Sequence, residues 1–338
     1  MKKITLFFTF LMAFGYSAYA QVSAYSFAES TETYAQITGT TSTATGDDGT
    51  QTNIPIGFAF NFGGVNYTAF GISTNGIIRL GTNATDTAIA SGWTNTLSNT
   101  SANRPLIAPF WDDNNMTGGE IRYSITGTTP NQVLTVNWHN SKIGGGGSTA
   151  GAAVSALLRV YETTNVIEFV YGNPYTTTNI VTASVGLNGT TSFLSVTPAV
   201  ASTVSSATAN NAINATVMAN LAGKKLTFTP PVPCSGLPVA GSVSPVSQTL
   251  LTGQVPAALV ASGYSSGVSG ITFQWQESDD DGATDAWANA VGGTGATTAS
   301  YIPPAFSGTV IYYRLVVTCT NSALSAIQQE PQPIQAVI

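Results

Sequence analysis

The chain has 338 residues and a formal net charge of -6, and only 8% of its residues are charged, against about 25% in ordinary domains. Its few Lys and Arg residues form no cluster of the kind that backbone binding to nucleic acid needs, which argues against that partner. Residues 1–20, MKKITLFFTFLMAFGYSAYA, carry two lysines, an apolar stretch from Ile4 to Phe14, and small residues at Ala18 and Ala20. This is a secretory signal with cleavage expected between Ala20 and Gln21. No cysteine follows the cleavage point, so a lipidated first residue is not expected. No later segment supplies an apolar run of about 20 residues, so membrane insertion is not expected either. Loss of Lys2 and Lys3 moves the charge to -8 and leaves a surface of Thr, Ser, Asn, Gly and Ala, as in exported β-rich proteins.

After residue 20 no sustained helical period appears. Short runs rich in Val, Ile, Thr, Tyr and Phe recur between Gly and Asn turn signals, which predicts an all-β chain. IPIGFAFNF (54–62), VNYTAFGIST (65–74) and IIRLG (77–81) read as a meander, with Gly63-Gly64 and Asn75-Gly76 as its turns. Further strands are expected at 104–111, 119–126, 132–139, 153–161, 165–171, 180–187 and 224–229. Their number and spacing predict a two-sheet sandwich of jelly-roll type. TPPVPCSGLP (229–238), with four prolines, reads as a stiff connector and places a domain boundary there. The organisation expected is a signal peptide at 1–20, a jelly-roll-like β-sandwich at 21–230 and an immunoglobulin-like β-sandwich at 231–338.

In the second domain ITFQWQ (271–276) alternates, with Ile271, Phe273 and Trp275 on one face. VIYYRLVVTC (310–319) sets Ile311, Tyr313, Leu315, Val317 and Cys319 on one face and Tyr312, Arg314, Val316 and Thr318 on the other. A buried Trp on one strand and a Tyr two residues before a core position on a late strand match the immunoglobulin-like plan. Cys234 and Cys319 are the two cysteines, and the export signal places them in an oxidising compartment where a structural disulfide can form.

The blocks IPIGFAFNFGGVNYTAFGISTNGIIRLG, PLIAPFWDDN, IRYSITGTTPNQVLTVNWHN, LLRVYETTNVIEFVYG and ASVGLNGTT, in that order, resemble an N-terminal β-sandwich module of secreted Bacteroidota proteins. That module is distantly similar to nidogen-type and plexin-domain-type extracellular modules, and the resemblance spans about residues 25–231. CSGLPVAG, ITFQWQESDDDG, AW and YYRLVVTCT resemble the immunoglobulin-like repeats of the same proteins, which often hold two cysteine pairs. Leu315 stands at the inner strand position, so the resemblance implies a single bridge, Cys234 to Cys319. Such chains typically finish with a type IX secretion sorting domain, which SALSAIQQEPQPIQAVI does not resemble; it reads as a closing strand. The chain is therefore expected to be a fragment, or a short member exported by another route.

Little of the catalytic repertoire is legible. His139 is the only histidine, and no G-x-S-x-G elbow accompanies it. Histidine zinc sites need more N/S ligands, and Glu120, Glu162 and Glu168 do not present two inward acids on one strand, as jelly-roll glycosidases require. ESDDDGATDAW (277–287) lacks the closing acid of a calcium loop and reads as a turn between Trp275 and Trp287.

Asp112 and Asp113 end the run PLIAPFWDDNN (105–115). Neighbours in a strand point to opposite faces, so the two converge on one calcium ion only if the strand stops at Trp111. Pro109 favours an edge or a bulge. Asp47 and Asp48 precede the strand at 54, and if that strand runs antiparallel to 104–111 the two acidic loops share one end. Two readings stand: turns in which Asp and Asn satisfy their own backbone, or a calcium or sugar rim of Asp47, Asp48, Trp93, Asp112, Asp113 and Asn115. Trp93, in a polar loop, is the expected exposed platform, while Trp111 is expected in the core. Asp86-Thr87-Ala88 resembles the O-glycosylation acceptor of Bacteroidota, with Thr87 modified; the alternative is an ordinary loop.

These features read as a secreted, non-enzymatic adhesion or surface-interaction protein that meets an extracellular glycan or protein surface and needs no cofactor unless calcium fills the rim. The alternatives are a carbohydrate-binding accessory region of a larger exported enzyme, or a structural spacer.

Overall fold

The structure, a computed structural model, describes residues 21–90, 92–98, 101–144, 153–172, 182–198, 203–207, 212–213, 218–284, 286–328 and 331–336. The signal segment with Ala20 lies outside them, and Gln21 is the first described residue. The chain divides between Pro231 and Val232 into two compact units.

In the first unit the strands are β1 (Ser26–Thr31), β2 (Thr40–Thr41), β3 (Thr50–Phe62), β4 (Val65–Ser73), β5 (Ile77–Gly81), β6 (Leu106–Trp111), β7 (Glu120–Thr126), β8 (Val133–Lys142), β9 (Ala153–Tyr161), β10 (Ile167–Tyr171), β11 (Ala183–Asn188), β12 (Phe193–Pro198), β13 (Thr203–Ser206), β14 (Ala212–Ile213) and β15 (Lys224–Thr229). One sheet runs β1-β15-β10-β9-β8-β7-β2; the other runs β13-β12-β11-β6-β5-β4-β3, with β14 on β11. Each contains a four-strand meander, β3 to β6 in one and β7 to β10 in the other. The chain is the all-β sandwich that its alternation predicts.

That alternation builds the core directly. On β3, Ile54, Ile56, Phe58, Phe60 and Phe62 are buried while Pro55, Gly57 and Ala59 face out. Opposite them, Leu134, Val136 and Trp138 of β8 turn inward into the same cluster. Each fully buried aliphatic or phenyl side chain contributes about 1.5–3 kcal/mol. The sheets also lock through polar tips: Trp138 Nε1 donates to Ser73 O at 2.9 Å, and Tyr171 Oη donates to Pro109 O at 2.7 Å. Such bonds remove the cost of burying an indole N–H or a phenol.

β6 does not alternate because both its faces are covered. Phe110 packs edge-on against Trp138 at 5.7 Å in the core. Leu106, Ala108 and Trp111 form a second cluster with Ile77 and Leu97 on the other side. Pro109 sits in a bulge, since Trp111 pairs with Ser184 and Ala108 with Gly186, one residue more on β6 than on β11. A bulge is how a central strand accommodates a residue without an N–H.

The second unit holds a three-stranded sheet of Ser242–Ser244, Leu259–Ser262 and Ser300–Tyr301. A six-stranded sheet is centred on Ile271–Ser278 and Ile311–Cys319. Trp275 is fully buried and its Nε1 donates to Thr298 O at 2.9 Å. Cys234 and Cys319 form the disulfide, with Cα atoms 5.8 Å apart. In the acidic stretch the Asp280 carboxylate accepts from the amides of Ala283 at 3.0 Å and Thr284 at 2.6 Å. Asp281 and Gly282 take positive φ at the bend, so the segment is a self-capped turn; Asp285 lies outside the described residues.

Candidate functional site

Because β3, β4, β5 and β6 are consecutive antiparallel neighbours, three chain segments reach the same end of the sheet. They are the loop before β3, the turn between β4 and β5, and the segment after β6. At the turn Gly76 has φ +76°, and a Cβ there would lie 2.6 Å from Phe110 O. Only glycine lets this turn lie against β6.

Asn75 ties the three segments together. Its Nδ2 donates to Asp48 Oδ1 at 2.7 Å, its Oδ1 accepts from Asn114 N at 2.7 Å, and its carbonyl accepts from Asp112 N at 3.3 Å. Asn114 extends the frame by donating to Phe110 O at 3.0 Å and accepting from Gly144 N at 3.1 Å. Backbone bonds between Asn115 and Lys142, and from Met116 N to Gly46 O at 2.8 Å, close it. The loops are therefore held by buried amides on a rigid sandwich.

β6 stops at Trp111, and the two aspartates then part. Asp112 is buried; its Oδ2 accepts from Thr182 N at 3.0 Å, and its Oδ1 accepts from Thr182 Oγ1 at 3.2 Å and Asp113 N at 2.9 Å. Burial pushes its carboxyl up, and these bonds pull it back. Asp113 turns the other way, where its carboxylate meets those of Asp47 and Asp48, all within 4.8 Å of one another. Partial desolvation raises the Asp113 carboxyl, and the charges of Asp47, Asp48 and Asp112 raise it further. Desolvation and then Asp48 raise Asp47 in the same way. The trio that can offer oxygens to a hard cation is thus Asp47, Asp48 and Asp113, with Asp112 held away by Thr182. Asn115 pairs with Asp47 through an isolated antiparallel bridge, and its Oδ1 accepts from Thr117 N at 2.7 Å in a local turn.

Trp93 reaches this end as well and is 50% exposed. Its neighbour Gly92 packs so closely that an added Cβ would lie 3.1 Å from both Asn75 Nδ2 and Ser73 Oγ. Gly92 O also accepts from the indole of buried Trp111. Thr87 is different: it is fully buried, and its Oγ1 accepts from Asn53 N at 2.8 Å. That burial corrects the O-glycosylation reading, because the hydroxyl of the folded unit is closed to a transferase.

The groups considered for catalysis have structural partners. Tyr34 Oη lies 2.9 Å from His139 Nδ1, with Ser155 Oγ at 3.4 Å. Glu120 pairs with Arg122 at 3.0 Å, Glu162 accepts from Gln132 N at 2.9 Å, and Glu168 accepts from Tyr161 Oη at 2.6 Å and pairs with Lys225 at 3.2 Å. Sequence reasoning missed Asn75 and Thr182. The predicted meander could have found Asn75, since its turn must lie at the end where β3 begins and β6 stops.

Residues 24–230 match the family described as NIDO related, and residues 239–329 match a domain of unknown function (DUF8696). No match is found among curated proteins or among solved structures. The NIDO-related module and the Cys234–Cys319 disulfide mark an extracellular type of protein. No helix among the described residues is long and apolar enough to cross a membrane. Since the first match takes in more than half of the sequence, the chain belongs to the NIDO-related family.

Proposed function

We propose that the chain is a secreted, non-catalytic adhesion or surface-interaction protein that meets an extracellular glycan or protein surface at the Asn75-centred end of its first sandwich. The observation that carries the reading is the convergence of three carboxylates on loops fixed by buried amides, with the segment that carries half-exposed Trp93 packed against Asn75 through Gly92. Loops on a rigid scaffold are where binding residues concentrate. The desolvation and neighbouring carboxylate charge that raise Asp47 and Asp113 are offset by a cation, and calcium, which takes six to eight oxygens, suits this donor set. The pairing of His139 with Tyr34, and of each candidate acid with its own partner, supports a non-catalytic role. In this reading the second unit is an immunoglobulin-like companion module, and the whole belongs to the export repertoire of Bacteroidota linked to type IX secretion.

The exposed indole also favours the accessory carbohydrate-binding reading, because a sugar ring stacks on such a face. A glycan array with wild type and Trp93→Ala distinguishes the two: glycan binding lost in the variant supports the sugar site, and its absence from wild type leaves a protein surface as partner. For the cation, chelator is expected to lower the melting temperature of wild type and leave that of an Asp47→Asn, Asp113→Asn double variant unchanged. Identical wild-type melts with and without chelator would remove calcium from the proposal.

A further inference from the structure

The second unit contains a cavity of about 320 Å³ whose walls include Pro256, Val291, Pro304, Phe306, Ile311 and Ile334. This falls in the size range of small-molecule sites, about 300–1,000 Å³. Two polar groups interrupt the apolar lining, Glu277 and Tyr313. Tyr313 is 3% exposed, packs its ring on Tyr301 at 5.6 Å, and has no hydrogen-bond partner for its hydroxyl among the described residues. The hydroxyl itself is not sealed off, so it opens on the cavity, where water or a ligand group meets it. Glu277 accepts a hydrogen bond from the Val291 amide and has no ion-pair partner among the described residues. The nearest cation in sequence, Arg314, is turned to the other strand face, where it bonds Gln276 at 2.8 Å and covers Trp287 at 4.3 Å.

We propose that this cavity binds a small aliphatic ligand carrying one ammonium group, the hydrocarbon body lying among Pro256, Pro304, Phe306 and Ile334 and the ammonium bonded to the Glu277 carboxylate and the Tyr313 hydroxyl. Charge complementarity selects the class. A carboxylate without a cation repels anionic ligands, and a neutral ligand would leave it desolvated and uncompensated. Desolvation already raises the Glu277 carboxyl, with the Val291 amide as the opposing influence, and an ammonium would reverse that shift.

The test uses the intact chain and three probes of one shape: cyclohexylamine, cyclohexanol and cyclohexanecarboxylate, titrated by ligand-observed NMR at neutral pH. Cyclohexylamine is expected to bind saturably and at least about tenfold more tightly than the other two. Glu277→Gln should cost about tenfold, and Tyr313→Phe a smaller factor, each with the melting temperature followed as a check on folding. On acidification the affinity for the amine should begin to fall at a pH above that at which an ordinary glutamate protonates, since the free site is the raised one. Equal binding of amine and alcohol, or unchanged amine binding in Glu277→Gln, would overturn the proposal. So would amine binding that survives Glu277→Gln and disappears in the Asp47→Asn, Asp113→Asn variant, since the cation would then belong to the first unit.

Discussion

The two units face the same burial problem and meet it by different means. In the first, two long sheets close on a continuous core of aromatic and branched side chains, and of its described large hydrophobics only Trp93 and Ile125 are counted as exposed. In the second, the core is short, centred on Trp275, Tyr301, Tyr313 and Leu315, and Val232, Leu237, Val239, Val246, Leu251, Val255, Val260, Val291, Ile302, Leu324 and Ile327 are left exposed. A smaller unit buries a smaller fraction of its surface, and a cross-link then supplies by chain entropy what the core does not. Cys234–Cys319, closing 85 residues, is that cross-link.

The largest expected effect follows from this contrast. A Cys234→Ala, Cys319→Ala variant should lose about 2–5 kcal/mol of stability in the second unit and none in the first. Calorimetry should show two transitions, of which one falls by ten degrees or more, on the order expected for about 100 residues. A parallel fall of both transitions would break the comparison.

A smaller effect comes from aspartates that end strands in the two units. Asp112 is buried and satisfies Thr182 and Asp113, whereas Asp280 lies on a partly exposed turn and caps Ala283 and Thr284. Removing a buried acceptor leaves donors desolvated, so Asp112→Ala should cost about 2–3 kcal/mol in the first transition. Water replaces the lost bonds at the turn, so Asp280→Ala should cost about 1 kcal/mol or less in the second. Equal costs would mean that the Asp112 environment is wetter than its burial implies.

The same contrast explains what the sequence discloses. Strands buried on one face declare themselves by alternation, so the meander and the Ile311–Cys319 strand are legible nearly to the residue. The first turn of β3, Thr50–Asn53, is not, because all four residues are polar and its exposure gives no period. At the site, the end of β6 at Trp111 and the approach of its acidic segment to the Asp47-Asp48 loop follow from strand polarity. Which aspartate joins the trio does not. Thr182 decides it by capturing Asp112 from 70 positions away, and a tertiary hydrogen bond of that kind leaves no local pattern. The buried Thr87 hydroxyl is missed for the same reason, since a short motif carries no burial information.

The smallest effect sharpens the picture inside the first unit, where two acid groups have opposite signs. Glu32 is held below the usual carboxylate range, chiefly by its bond to Arg159, which lies at 2.7 Å. Its contribution is present above the ordinary glutamate value and is lost as pH falls through the lower folded value. Asp113 is raised, so the folded state binds its proton more tightly than the unfolded state does, and stability declines as pH rises from the ordinary aspartate value through the raised one. Both groups are partly exposed, which limits each effect to about 1 kcal/mol or less. At neutral pH without divalent cations, Asp113→Asn should therefore melt about 1–3 °C above wild type and Glu32→Gln about 1–3 °C below it. Both gaps should close on acidification through the carboxylate range and should be confined to the first transition. Added calcium should reverse the order of wild type and Asp113→Asn, because the carboxylate that costs stability alone becomes a ligand when the ion is present. If Asp113→Asn melts below wild type even in chelator, its hydrogen bonds outweigh the repulsion, and the acidic trio is a structural turn.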